Sequence, residues 1–133
     1  MKTVDFLKPE DFPGLLMLIK KFAETTDTPF HLHVNEVSSS LLGDKLITIV
    51  GKDDEKPFPF IAYLCGFKME GNEFMISQVY SEDPLLTPVF GNFLEDHLRS
   101  LGVKKIFGLF KPIPKAAEKY GYKLERYLMS KEL

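Results

Sequence analysis

Tryptophan is absent from the 133 residues, cysteine occurs once and histidine three times. A single cysteine excludes an internal disulfide and any CxxC pair. Cys65 lies in the apolar run FIAYLCGF and reads as a small buried residue. No stretch approaches the roughly 18 uninterrupted apolar residues of a membrane span, so no membrane partner is expected. The first residues, MKTVDFLKPEDF, carry acids where a signal peptide needs an apolar run, which predicts an intracellular, cytoplasmic protein. No Walker loop, nucleophile elbow or paired-carboxylate signature occurs. Between Lys68 and Arg99 there is neither lysine nor arginine.

What is present suits one soluble domain spanning 1–133: 44% of residues are hydrophobic and 27% charged. The net charge of −2 hides an asymmetry, because residues 1–100 hold 9 Lys+Arg against 16 Asp+Glu and residues 101–133 hold 8 against 3. A basic tail can favour an anionic ligand or nucleic acid. Its lysines, however, are spaced through KKIFGLFKPIPKAAEKYGYK and no nucleic-acid motif accompanies them. They read as a solvated face, and no nucleic acid is expected.

Along the chain, TVDFL is a short strand. DFPGLLMLIKKFAETT follows as a helix with Asp11 as cap, Pro13 in the first turn, and Phe12, Leu15, Leu16, Ile19, Phe22 and Ala23 on one face. DTPFHLH reads as a loop, and NEVSSSLLGD as a short helix capped by Asn35 and stopped by Gly43. KLITIVGK, FPFIAYLCGFKM and EFMISQVYS are three strands of an antiparallel meander, separated by the turns DDEKP and EGN. A helix over 87–101 comes next, capped by Thr87, with Pro88 in its first turn, Phe90, Leu94, Leu98 and Leu101 on one face, and Gly102 as its stop. Leu85 and Leu86 can pack ahead of it as a hydrophobic staple. VKKIFGLF is a buried strand, PIPKAAEKYG a short helix ended by Gly121, and YKLERYLMSKEL a last strand. The order is β-α-α-β-β-β-α-β-α-β.

That order, in a chain of this length, resembles the GNAT superfamily of acyl-CoA N-acyltransferases. The most specific part is the C-terminal half: EFMISQVYS, the helix, SLGVKKIFGLF, and AEKYGYKLERYLMSKEL, where Glu118, Lys119, Gly121 and Tyr122 fit a family pattern of tyrosine-glutamate-lysine-any-glycine-phenylalanine. The resemblance implies an α+β fold, a three-layer α/β sandwich with a mixed, mostly antiparallel sheet and helices on both faces. It implies acetyl-CoA, or another acyl-CoA, as cofactor. The pantetheine arm would lie along the strand 74–81, nearest Gln78, Val79, Tyr80 and Ser81, where the fourth and fifth strands part. The diphosphate would sit over the backbone of Thr87, Val89, Phe90 and Gly91 at the next helix start, where free N–H groups and the helix dipole suit an anion.

The sequence departs from the family pattern twice. The family's phosphate loop carries small residues at two positions that fall near Leu85 and Thr87, and neither is glycine. Pro88 removes a further N–H. The family's usual acid, a tyrosine in the last helix, falls at Ala117, and Tyr120 three residues later lies close to the same helical face as a substitute.

In FHLHVNE, an extended stretch would project His31 and His33 to one side, a metal spacing if Glu36 or His97 joined them. The alternative is a loop with two exposed histidines, and no metal is assigned. By resemblance this loop borders the acceptor pocket, so His33 becomes the candidate general base. Glu73 and Glu82 are weaker candidates. The function expected is transfer of an acyl group from acyl-CoA to a small-molecule or peptide amine, with a homodimer expected by resemblance. The rival is a GNAT-shaped binding or assembly module without transfer activity.

Overall fold

The computed structural model describes residues 1–108 of the chain. The expected last helix and last strand, and with them Tyr120, lie outside the described residues. Alternating apolar residues build strands β1 (Lys2–Phe6), β2 (Leu46–Asp53), β3 (Phe60–Met69), β4 (Glu73–Ser81) and β5 (Lys105–Gly108). They form one sheet in the order β1-β2-β3-β4-β5, antiparallel throughout except for the parallel pair β4–β5. Helices α1 (Phe12–Thr26) and α2 (Phe30–Ser39) cover one face, and α3 (Thr87–Ser100) covers the other. The three-layer α+β arrangement expected from the sequence is therefore present.

Period decides each layer. α1 buries Leu15, Leu18, Ile19, Phe22 and Ala23 against Val50, Tyr63 and Cys65. Leu18 takes the place expected for Leu16, which is 37% exposed. Asp11 precedes α1 without a side-chain cap bond; its carboxylate instead accepts from Lys52 Nζ at 2.6 Å. α3 buries Phe90, Leu94 and Leu98 against Ile49, Ile61, Leu64, Phe74 and Ile76, while Leu101 stays exposed. A 3-10 turn over Pro84–Leu86 runs straight into α3, so Thr87 is its first residue rather than its cap. Of the two staple leucines, Leu86 is buried and Leu85 exposed. Gly102, at φ 80°, ends the helix in a conformation that L side chains avoid.

α2 differs from the sequence reading. It begins at Phe30, five residues before Asn35, with Pro29 extended ahead of it, and ends at Ser39, short of Gly43. The reason is tertiary: Val34 and Val37 pack on the α1 side, and His33 Nε2 meets Thr28 Oγ1 at 2.6 Å, tying the first turn to the preceding chain.

β4 contains an extra residue. Cys65 pairs with Gln78 and Gly66 with Ile76, which leaves Ser77 as a bulge. Before it, Phe74 and Ile76 face α3; after it, Gln78 and Tyr80 face α1 and α2. Gly66 permits the close approach opposite the bulge, since a Cβ there would stand 2.4 Å from the Met75 carbonyl oxygen.

Candidate functional site

The bulge turns a polar stretch of β4 toward α2. Gln78, 1% exposed, accepts from Tyr63 Oη at 2.8 Å through its Oε1 and donates from Nε2 to Glu36 Oε1 at 2.9 Å and to the His33 carbonyl at 3.3 Å. Ser77 Oγ donates to the same Glu36 oxygen and lies 3.2 Å from the Cys65 carbonyl. Glu36 is thus half-buried, with one oxygen fixed by two donors from β4, and among the described residues no cation pairs with it. Burial pushes the Cys65 thiol up to about 12 and the Tyr63 phenol well above its ordinary value. Both groups stay neutral donors beside Glu36.

The two histidines of FHLHVNE separate on α2. Two positions on a helix differ by about 200°, so His31 and His33 face opposite sides instead of one. His31 is exposed; His33 is half-buried, its ring edge-on to Phe22 at 5.0 Å and its Nε2 held by Thr28. Burial lowers the His33 pKa, opposed by the Glu36 charge. His97 lies on α3, edge-on to Phe6, across the sheet from both. Among the described residues no group of three His, Cys, Asp or Glu stands together to hold a metal. Glu82 pairs with Lys21, and Glu73 sits opposite Lys105 in the β4–β5 ladder.

Parallel pairing between β4 and β5 is described from Glu73–Lys105 to Ile76–Gly108. Among the described residues, β4 from Ser77 onward is paired on its β3 side alone. Any divergence of the two strands falls beyond Gly108. Along this edge Val79 is 37% exposed and Tyr80 half-buried against the α1 core.

The β4–α3 loop fits a diphosphate poorly. The Glu82 amide donates to the Ile61 carbonyl at 2.8 Å and the Asp83 amide to Ser81 Oγ at 3.0 Å. Leu85 N donates to Asp83 Oδ1 at 3.0 Å and Leu86 N to the Asp83 carbonyl at 3.1 Å. Pro84 and Pro88 have no N–H. A helix beginning at Thr87 hands the amides of Phe90 and Gly91 to carbonyls four residues back. Phe90 is buried in the α3 core, Val89 is 48% exposed, and the space beside Gly91 is open. Lys2 donates to Asp83 and Lys21 to Glu82, so these two cations are already paired. The Lys2 ammonium and the Leu85 amide hold the Asp83 carboxyl below its ordinary range.

The order of the described elements and the three layers are those of the GNAT acyl-CoA N-acyltransferase fold. Solved structures bear this out. An aminoglycoside N-acetyltransferase AAC(6')-Iy in complex with CoA is similar over 99% of this chain and 95% of its own, at 9% identity and a TM-score of 0.78. A ribosomal-protein-alanine N-acetyltransferase from Brucella melitensis biovar Abortus 2308 is similar over the full length of both chains, at 10% identity and a TM-score of 0.76. A predicted acetyltransferase with acetyl-CoA from Clostridium acetobutylicum is similar over 99% of this chain and 96% of its own, at 13% identity and 0.72. No family model and no curated protein sequence matches the chain.

Sequence reasoning missed Glu36 as anything but a metal ligand, and missed Ser77 and Tyr63 as its supports. The signal was faint: a Ser-Gln pair interrupting the apolar alternation of EFMISQVYS. Among the described residues no helix is long and apolar enough to cross a membrane.

Proposed function

We propose that the protein is an acyl-CoA-dependent N-acyltransferase whose acceptor amine enters between α2 and β4. One observation carries this reading. A carboxylate without a cation partner among the described residues, Glu36, is held by Ser77 and Gln78 at the point of β4 where described pairing with β5 ends. An acyl thioester bound along that edge supplies an activated carbonyl. An amine attacks only after losing a proton, and Glu36, as the charged neighbour, takes it. Gln78, itself held by Tyr63, keeps the carboxylate in place, while His33, engaged by Thr28, stands as the second base candidate. Tyr120 remains the proposed acid for the departing thiolate. The acceptor is a small-molecule or peptide amine, the protein is cytoplasmic, and two copies pair; these belong to the same proposal.

The experiment is calorimetric titration with acetyl-CoA, followed by thiol-release assays with neamine, spermidine and a peptide bearing a free N-terminal alanine. Binding in the micromolar range and turnover of at least one amine are expected. Glu36→Gln keeps an oxygen for Ser77 and Gln78 but loses the charge, and should lower kcat/KM by about 100-fold or more. The self-satisfied β4–α3 loop favours one alternative, a GNAT-shaped module that transfers nothing. A flat titration at millimolar acetyl-CoA, with acetyl-pantetheine equally silent, would leave that module as the account.

A further inference from the structure

The β4–α3 loop is wired to itself, and its charges have the wrong sign for a phosphate. Four consecutive donors are consumed within the loop or by β3: Glu82 N by Ile61, Asp83 N by Ser81, Leu85 N and Leu86 N by Asp83. Pro84 in the loop and Pro88 in the first turn of α3 have no donor to offer. At the tip of α3, where the helix dipole would attract an anion, the Asp83 carboxylate is already in place and neutralised by Lys2. Glu82 adds a second carboxylate, paired with Lys21. From residue 69 to residue 98 the chain carries no lysine or arginine. An incoming diphosphate would have to displace one carboxylate, approach another, and break the Asp83 side chain from one amide and an ammonium. The strand edge beside it, in contrast, is paired from Ser77 onward on its β3 side alone among the described residues.

From this wiring we infer that the donor is recognised through its pantetheine thioester alone, with the nucleotide diphosphate of coenzyme A contributing little. The inference rests on the acyltransferase reading above and widens its donor class from acyl-CoA to pantetheine thioesters in general. In a loop with free amides, two charge-assisted bonds to the diphosphate would separate acetyl-CoA from acetyl-pantetheine by on the order of 100-fold or more in affinity. Here Asp83 performs the anion's role from within.

Calorimetric titration of the full chain with acetyl-CoA and, separately, with acetyl-pantetheine tests this without any acceptor. The expected result is that the two dissociation constants agree within about tenfold. Asp83→Ala frees the Leu85 amide and Lys2 together, so it should tighten acetyl-CoA by tenfold or more and leave acetyl-pantetheine unchanged. Unchanged acetyl-pantetheine binding also reports that the variant is folded. Acetyl-CoA binding 100-fold tighter than acetyl-pantetheine in the unmodified protein would overturn the inference while sparing the acyltransferase reading. So would an Asp83→Ala protein that binds acetyl-pantetheine normally and gains nothing for acetyl-CoA. Silence toward both thioesters overturns the inference and the parent reading alike.

Discussion

Against α3 the sheet presents Ile47, Ile49, Ile61, Leu64, Phe74 and Ile76, a surface with no hydrogen-bonding side chain. Against α1 and α2 it presents Val50 and Cys65 beside Tyr63, Thr48, Ser77 and Gln78. Both faces are buried, yet only one contains a polar network. Buried polar groups stabilise little on balance and are costly when a partner is lost. Among the described residues every buried side-chain nitrogen and oxygen has a partner. The difference teaches that one face supplies stability and the other supplies position. A fold that needed only to be stable would gain from extending the apolar pattern across Tyr63 and Gln78.

That contrast can be broken by substitution. The largest stability effect belongs to the apolar face: Phe74→Ala, at a fully buried ring, should lower unfolding free energy by about 3–5 kcal/mol in denaturant titrations. A loss below about 1 kcal/mol would mean that the α3 layer is loosely packed. On the polar face, Tyr63→Phe keeps the ring and strands Gln78 Oε1, which predicts about 1–3 kcal/mol by the same measurement. It should also cut acceptor turnover, because Glu36 loses its second-line support; the Phe74 variant, where folded, should not.

Near neutral pH the smallest effect belongs to Cys65, whose pH slope begins only above pH 9. The unfolded thiol ionises near 9.0 and the folded one near 12, so the unfolded state releases its proton first. Stability contributed by the neutral thiol is therefore complete below pH 9 and declines as pH rises from 9 toward 12. Subtracting the Cys65→Ala profile isolates this slope from the neighbouring Tyr63 phenol and the Glu36 carboxylate. A difference profile that stays level above pH 9 would refute the assignment.

Much of the scaffold could be read from residue order. β4 was expected at 73–81 and is found there, and α3 starts at Thr87 and is stopped by Gly102 as its spacing implied. These elements carry their own signals: alternating apolar residues, proline in the first turn, glycine past the last. The start of α2 carried a misleading one. Asn35 is a good capping residue by type, but the contacts that lengthen the helix to Phe30 come from Thr28 and the α1 core, which local sequence does not encode. The candidate site failed for the same reason. Glu36 and Ser77 are 41 residues apart and meet only because the bulge rotates β4. The poverty of the phosphate loop in glycine and cations was visible beforehand; that Asp83 would occupy its amides was not.

The extra residue Ser77 also says how the gene can change in length. Losing its codon would restore plain alternation, with Gln78 still opposite Cys65 and, like Tyr80, still on the α1–α2 face, but without the hydroxyl that helps hold Glu36. Straightening the strand at its present length would instead swing Gln78 and Tyr80 into the greasy layer under α3, so relatives with a straight β4 should be one residue shorter there.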